Sequence, residues 1–406
     1  MTTFKPGSRY GHTATLIDDK LYILGGGQAS SGATVEIFGT EFFYLDVSGS
    51  FNTQKLLWQN LSNINIVPSH SLAASVKGGA NNDTLFLYTS ENINPELKFI
   101  YTFDSQKKIW DTPPISGNNV PKKDSLIGII NYDRKMYLFG GFAGTFPSND
   151  MLILDTINLI WKQGSLVNAP TPRTNYGATL LPDNNIIYMG GYNSSDLSLN
   201  EVYVYNTTSD QWNTKTTSGA TIPTSRSGFS AVLGLDGQRI IIFGGRNIED
   251  LNINDALYVL DLTKFEWYIP KISGNIPNSR YQHKANVIGK YMVVSFGYHS
   301  GYNNTNESDI LLLDISNNEE YVWTTIFEPT TSTSTTTTSS SSSTSSSKSP
   351  AMNKKNVLIG ATIGSLIGIV LLSGTILHLY KRNKGEKGYK NEKYLGKQLP
   401  ESIINS

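Results

Sequence analysis

The side chains best suited to metal binding or acid–base chemistry are the five histidines of this sequence, His12, His70, His283, His299 and His378. A metal site would need several of them, or carboxylates beside them, at a regular ligand spacing. The sequence has no such spacing, and the first three histidines are interpreted as residues at equivalent positions of a repeat. The sequence therefore predicts no metal site and no bound cofactor.

The chain also contains no cysteine, which excludes a second group of reactions. Disulfide bonds, thiolate metal sites and cysteine nucleophiles all depend on that side chain. The sequence shows no phosphate-binding glycine loop and no serine nucleophile elbow. These observations favour a binding protein over an enzyme.

Six aromatic or polar side chains are candidates for ligand recognition. They fall in segments whose sequence varies most between units, and they could stack on a sugar ring or anchor a peptide. The candidates are Phe142, Tyr192, Arg246, Tyr298, His299 and Tyr302. Variable loops carry recognition when a rigid scaffold holds them, so the remainder of the chain must supply that scaffold.

Six tryptophans indicate what the scaffold is. They recur at successive separations of 52, 51, 51, 55 and 56 residues, at Trp58, Trp110, Trp161, Trp212, Trp267 and Trp323. A period near 50 residues is typical of propeller blades, each made of four short strands. The sequence predicts an all-β fold of six four-stranded antiparallel blades.

Each unit repeats further landmarks in a constant order. In the first unit, Arg9 opens a strand, the next strand runs into Gly25 and Gly26, and a third strand ends at Asp46. We expect the arginine to bond turn carbonyls, the glycines to adopt positive φ and each tryptophan to pack on a neighbouring blade. This order resembles the kelch family of β-propellers over residues 9–326, which implies that the motif residues are scaffold.

Two units depart from the pattern. In the second, His70 stands where the arginine is expected and Thr89-Ser90 replaces the glycine pair, while the sixth keeps only Gly297. The first unit holds all four of its strands, which leaves two alternatives for closing the ring. Either residues 2–4 add a short strand to the last blade, or the ring closes by packing alone.

The resemblance also raises an enzymatic alternative, because a copper-radical oxidase of the galactose oxidase type shares the kelch ring. In oxidases of that type, a tyrosine is crosslinked to a cysteine, and histidine and tyrosine side chains beside it bind the copper. This chain has no cysteine to form that crosslink. An oxidase or an oxidase relic is therefore the least favoured hypothesis.

The ligand is expected on one face of the propeller. Loops that join second and third strands emerge on the same face as the connections between blades, at residues 28–40, 142–148, 192–199, 246–254 and 298–306. A protein or a glycan would bind there. Lys+Arg and Asp+Glu are equal at 33 each, so the charge balance argues against a nucleic-acid partner.

Composition divides the chain into a propeller at 1–327 and three following segments. Residues 328–356 are rich in Ser and Thr and are predicted to form a disordered, O-glycosylated stalk. The 21 uncharged residues 357–377 are long enough to cross a bilayer, so a transmembrane helix is assigned to 357–380. Basic residues concentrate in the tail 381–406, which predicts a cytoplasmic tail and an extracellular propeller.

Two features bear on this topology. Gly360, Gly364 and Gly368 form a smooth helix face that could support a homodimer. Residues 1–10 lack the apolar stretch of a secretory signal, and we expect the natural product to begin further upstream. The favoured hypothesis is a non-enzymatic surface receptor or adhesin; the alternative is a cytosol-facing kelch adaptor tethered to a membrane.

Overall fold

The structure, a computed structural model, describes residues 4–28, 37–89, 98–144, 146–248, 257–298 and 309–329. These residues form six successive β-sheets, and the inner strand of each sheet contacts the inner strand of the next, with the sixth returning to the first. The predicted six-bladed all-β propeller is confirmed. The predicted helix 357–380, the tail 381–406, the three glycines of the proposed dimer face and the stalk beyond residue 329 lie outside the described residues.

Each blade is built from one continuous stretch of chain, with its first strand beside the central axis. The four main strands of blades 1 to 3 are Thr13–Ile17, Lys20–Leu24, Phe42–Asp46 and Trp58–Asn60; Ala74–Gly78, Thr84–Tyr88, Ile100–Asp104 and Ile109–Asp111; and Gly128–Ile130, Lys135–Phe139, Met151–Asp155 and Ile160–Gln163.

Blades 4 to 6 repeat this plan with similar strand lengths. Their strands are Gly177–Leu180, Asn185–Met189, Glu201–Asn206 and Gln211–Thr216; Ser230–Leu233, Arg239–Phe243, Leu257–Asp261 and Glu266–Tyr268; and Lys284–Ile288, Tyr291–Ser295, Ile310–Asp314 and Tyr321–Thr324. Two short hairpins, Gly27–Gln28 with Ile37–Phe38 and Tyr192–Asn193 with Ser195–Asp196, and a 3₁₀ turn at Ser62–Ile64, lie in the connections.

The apolar core lies between the blades. Every interface between neighbouring blades, including that between blades 6 and 1, has its own cluster of buried side chains or shares one. The tryptophan of each blade packs on the preceding blade, as when Trp212 approaches Phe139 with ring centroids 4.7 Å apart. A single blade exposes both apolar faces, so only the complete ring buries them.

The repeated arginine bonds a turn carbonyl of its own blade, and the N–H of the second glycine position bonds the next blade. Arg173 is nearly fully buried, and its Nη1 donates to the carbonyl of Gly190 at 3.1 Å. Gly141 has φ +88°, and its N–H donates to the carbonyl of Arg173 in the next blade at 3.0 Å. The equivalent bonds from the second glycine position recur at four other interfaces, from Gly26, Gly191, Gly245 and Gly297.

A hydrogen-bond ring closes the inner end of all six interfaces. One residue per blade adopts a left-handed conformation, with φ between +50° and +68°, and donates its N–H to the equivalent carbonyl of a neighbouring blade. The donor and acceptor pairs are Gly11 to Gln282, Leu72 to Gly11, Ser125 to Leu72, Asn175 to Ser125, Gly228 to Asn175 and Gln282 to Gly228, at 2.6–2.9 Å. Nothing in the sequence analysis predicted this ring.

The prediction of four strands in every blade is wrong for blades 3 and 6. Each of these sheets has a fifth, outermost strand, Ser116–Gly117 or Ile272–Gly274, which pairs in parallel with the tryptophan strand. The connection from the preceding blade supplies it. The added parallel strand pairs with backbone N–H and C=O groups on the outer edge of the sheet. Without it, those groups would be unpaired and could bind the edge strand of another chain.

At the seam between blades 6 and 1, none of the residues described near the start of the chain forms a strand on the last blade. Phe4, the one residue of segment 2–4 that the structure describes, is not in a strand and packs edge-on against Phe43 at 5.5 Å. Ile326–Phe327 instead pairs with Phe51–Asn52, and the rings of Phe51 and Phe327 stack at 4.7 Å. Among the described residues, packing, this two-residue clasp and the hydrogen bonds Gly11 to Gln282 and Gly297 to Arg9 join blades 6 and 1.

We predict that Gly141→Ala destabilises the propeller far more than Gly144→Ala. Both glycines have positive φ, +88° and +84°, but a Cβ on Gly141 would meet the carbonyl oxygen of Asp124 at 2.8 Å, whereas nothing lies within 4 Å of one on Gly144. Backbone strain alone should cost about 1–2 kcal/mol. The clash and a weakened inter-blade hydrogen bond should bring the Gly141→Ala cost to roughly 3–4 kcal/mol. Denaturant unfolding of both variants measures the difference, and equal losses would contradict the role given to close backbone approach.

Candidate functional site

Four of the predicted site residues occupy one equivalent position on the loop face, the face that carries the second-to-third strand loops and the connections between blades. Each follows the second glycine position of its blade: Phe142, Tyr192, Arg246 and Tyr298. In every case the backbone forms an antiparallel bridge with the residue that precedes the hydrogen-bond ring. Tyr298, for example, exchanges hydrogen bonds with Tyr281 at 2.8 and 2.9 Å.

Two of these residues belong to a tyrosine–arginine cluster, formed by Tyr10, Tyr298, Tyr281 and Arg246. The Tyr10 and Tyr298 rings meet edge-on at 6.0 Å, and the Tyr298 and Tyr281 rings lie 5.2 Å apart. The Arg246 guanidinium lies 5.2 Å from the centre of the Tyr281 ring. All four side chains are partly exposed, so the cluster is a continuous amphipathic surface across blades 1, 6 and 5.

The other predicted residues do not join the cluster. Phe142 and Tyr192 lie at the same level on blades 3 and 4, and no ring contact connects them to the cluster among the described residues. His299 and Tyr302 lie outside the described residues, so their prediction stays untested. The side chains that the structure brings together thus come from one half of the loop face.

Tyr10 and Tyr281 were missed because they belong to the arginine motif, which was interpreted as scaffold. The position they share holds a small polar residue or aspartate in the other blades: Ser71, Asp124, Thr174 and Ser227. A tyrosine at two of six equivalent positions was the signal available in the sequence. In blade 1 the partner position is Gly27, and a Cβ there would meet the Tyr10 ring at 2.7 Å, so the glycine makes room for that ring.

The histidines have structural positions. His12 and His283 are equivalent, each directly after a residue of the hydrogen-bond ring, and their Nε2 atoms bond the hydroxyls of Ser295 and Ser230. His70 is not equivalent to them, since it stands two residues before the ring at the arginine position. Burial lowers the pKa of His70 to about 4 and that of His283 to about 3, so both are neutral near pH 7. The part of the chain that the structure describes holds no group of three or more metal-ligating side chains.

The six inner strands enclose a central channel with a cavity of about 550 Å³. One level of its wall carries small residues in every blade: Ala14, Ser75, Gly128, Ala178, Ala231 and Ala285. The cavity extends to Leu235, which is 49% exposed at the turn after the inner strand of blade 5, on the face opposite the loop face. The hydrogen-bond ring narrows the channel at the other end.

Lys284 is the one lysine or arginine among the residues that line this cavity, and no aspartate or glutamate lines it. Burial lowers the pKa of its ammonium to about 8, because the surrounding wall replaces water around the charge. In the described ranges no carboxylate lies within ion-pair distance of it. Burial of the charged ammonium therefore lowers the stability of the folded state, and no ion pair among the described residues compensates for it.

We predict that Lys284→Met raises the free energy of unfolding at pH 7. The pKa of Lys284 is about 8 in the folded protein and has its ordinary value of 10.5 in the unfolded chain, so the unfolded state binds more protons between these pH values. Wild-type stability should therefore rise with pH over that interval. Lys284→Met should raise the free energy of unfolding at pH 7 by on the order of 1–3 kcal/mol, after allowance for screening by channel water. Urea titrations at pH 7 and pH 10 would test this. Lys77→Met, outside the cavity wall, is the control and should change stability by about 0.5 kcal/mol or less; a Lys284→Met protein less stable than wild type would contradict the argument.

Comparison with known proteins places this geometry in a family. The KLHDC2/KLHL20/DRC7 Kelch-repeats domain matches residues 11–234 and 190–361. The chain is 30% identical over 220 residues to acyl-CoA-binding domain-containing protein 5 of Arabidopsis thaliana, which covers 52% of this chain and 33% of that protein. It is 29% identical over 177 residues to Kelch domain-containing protein 3 of Bos taurus, covering 40% of this chain and 45% of the relative.

A third relative, Kelch domain-containing protein 1 of Mus musculus, is 26% identical over 169 residues, which covers 41% of each chain. The matched segments thus span less than half of each of these three relatives. The family match, in contrast, extends over most of this chain and repeats within it, as expected for tandem blades. With its phased arginines, paired glycines and inter-blade tryptophans, the chain belongs to the kelch-repeat family of β-propellers.

Proposed function

We propose that this chain is a membrane-anchored kelch propeller that binds a protein ligand on its loop face, at the tyrosine–arginine cluster. The observation that carries the proposal is the continuous contact from Tyr10 through Tyr298 and Tyr281 to Arg246. Tyrosine and arginine are enriched among residues that dominate binding energy at protein interfaces. The family supports the same conclusion, since kelch propellers generally bind proteins.

The cluster is suited to recognition because its backbone is already held in place. The reciprocal bonds between Tyr281 and Tyr298, and those between Tyr10 and Gly27 at 2.9 and 3.0 Å, fix the main chain beneath the rings. Binding then costs little ordering entropy beyond the side chains themselves. The Arg246 guanidinium adds donors for a carboxylate or a backbone carbonyl of the ligand.

Exposed apolar side chains on the same face favour a protein over a glycan. Phe146 is 75% exposed on the second-to-third strand loop of blade 3, and Ile248 is 50% exposed on that of blade 5. The backbone N–H of Ile248 donates a hydrogen bond to the carboxylate of Asp196 at 2.7 Å, and this bond links the loops of blades 5 and 4. A protein ligand could bury these apolar side chains at an interface, whereas a glycan offers little apolar surface against which to bury them.

Membrane anchoring is proposed from the sequence of the C-terminal segments. The uncharged run 357–377 has the length of a bilayer-spanning helix, and seven lysines and arginines follow it in the tail, against three between the propeller and the run. This asymmetry supports an extracellular propeller. Among the residues with described structure, no helix is both long and apolar enough to cross a bilayer.

We predict that a photo-crosslinking amino acid at position Tyr298 of the full chain, expressed in cells, captures a defined protein ligand. The matched control is the same amino acid at Tyr132, a 64% exposed tyrosine in the turn after the inner strand of blade 3, on the opposite face. In an Arg246→Ala background the capture should fall roughly tenfold, as expected for an interface hot spot.

Equal capture from Tyr132, or capture that Arg246→Ala leaves unchanged, would remove the cluster as the binding site. Capture that disappears after the partner is enzymatically deglycosylated would instead identify a glycan as the ligand. Together, these results distinguish a protein ligand from a glycan ligand and from nonspecific contact.

The anchoring proposal predicts that external protease digests the propeller of the full chain in intact cells and that glycosidase treatment lowers its mass. Asn60 is an exposed acceptor in an Asn-Leu-Ser sequence, so Asn60→Gln should remove one glycan if that site is used. A propeller protected from external protease, with no change of mass on deglycosylation, would favour the cytosol-facing adaptor instead.

A further inference from the structure

The channel is the feature that binding on the loop face does not explain. Propeller blades surround a central channel, and here small residues at one level of all six blades leave a cavity of about 550 Å³ in it. An apolar cavity of about 150 Å³ is large enough for benzene. The channel therefore has room for an organic molecule considerably larger than that.

Lys284 makes one end of the cavity positively charged and leaves the other end uncharged. Its side chain lines both the wide cavity and the narrow end beneath the hydrogen-bond ring. The equivalent residues of the other blades are uncharged: Thr13, Ala74, Ile127, Gly177 and Ser230. A single cation thus marks one end of a chamber whose other end reaches the exposed side chain of Leu235.

The surroundings leave that cation without a counter-charge. Two titratable side chains interact with its charge: His12, directly before the inner strand of blade 1, and His283, directly before the strand of Lys284 itself. The pKa of each is lowered by burial and by neighbouring positive charge, including that of Lys284. Both are therefore neutral near pH 7. Within the described residues the lysine has no carboxylate partner, so an anion entering from solvent would supply one.

We propose that the channel binds an amphipathic monocarboxylate, whose carboxylate pairs with Lys284 beneath the hydrogen-bond ring and whose hydrocarbon body lies along the wall of small and apolar residues. One positive charge matches one negative charge, whereas a phosphate dianion would remain undercompensated. The wall also has apolar side chains, Val287, Leu233 and Ile129, which a hydrocarbon chain could contact. This site is separate from the loop face and independent of the function proposed there.

The test is a titration of the full chain with octanoate labelled with ¹³C at the carboxyl group, followed by NMR. Wild type and Lys77→Met should bind octanoate equally. Lys284→Met should bind it at least about tenfold more weakly, because the charge pairing is lost while the apolar wall remains. Octanamide, of the same length but neutral, should bind all three proteins as weakly as octanoate binds Lys284→Met.

A second measurement does not depend on a variant. Octanoate should slow acetylation of Lys284 by a water-soluble reagent while leaving Lys77 of the same molecules unaffected, as read by peptide mass spectrometry. Absence of octanoate binding to wild type, or equal binding to wild type and Lys284→Met, would overturn the proposal. Equal affinity for octanoate and octanamide would reduce the channel to a nonspecific apolar cavity and would overturn it as well.

Discussion

Six backbone N–H groups near the axis each donate to a neighbouring blade from a residue in the left-handed conformation, and the arrangement of the blades depends on these six bonds. Four of these residues are not glycine, Leu72, Ser125, Asn175 and Gln282, so each accepts a cost on the order of 1 kcal/mol. The hydrogen bonds they make are buried at the interfaces, where an unmade bond would cost as much or more. Because the bonds run head to tail around a closed circle, each blade is joined to both of its neighbours at the narrow end of the channel.

This constraint also separates scaffold from recognition. The residue before each ring member bridges to the position after the second glycine, so the main chain of the loop face is tied to the ring. That position holds Gly27, Phe142, Tyr192, Arg246 and Tyr298 in five blades of one chain. Such different side chains on one backbone geometry show that the scaffold tolerates variation there. The loop face can therefore differ between blades while the ring stays regular.

The sequence was sufficient to predict the features that recur in most units. Tryptophan, arginine and paired glycine identify blades because each makes the same inter-blade contact several times. The fifth strands were missed because Ser116-Gly117 and Ser273-Gly274 recur in too few units to stand out and lie in connections between blades. The clasp and the isolated charge of Lys284 were not predictable, since pairing of residues 51–52 with 326–327 and the absence of a partner for one lysine depend on contacts distant in sequence.

The seam between the last and first blades has a mechanical consequence. Any tension applied from the C-terminal side of the propeller enters the fold at Ile326–Phe327, whose strand partner in the described part of the chain is the two-residue segment Phe51–Asn52. That pairing must yield before load reaches the longer strand Tyr321–Thr324. At the other five interfaces the two blades are consecutive in the sequence and are joined by the polypeptide chain, so the pulling force does not act on them directly. Under a pulling force the clasp would thus break first, before the hydrogen bonds and the apolar packing that also hold blades 6 and 1 together.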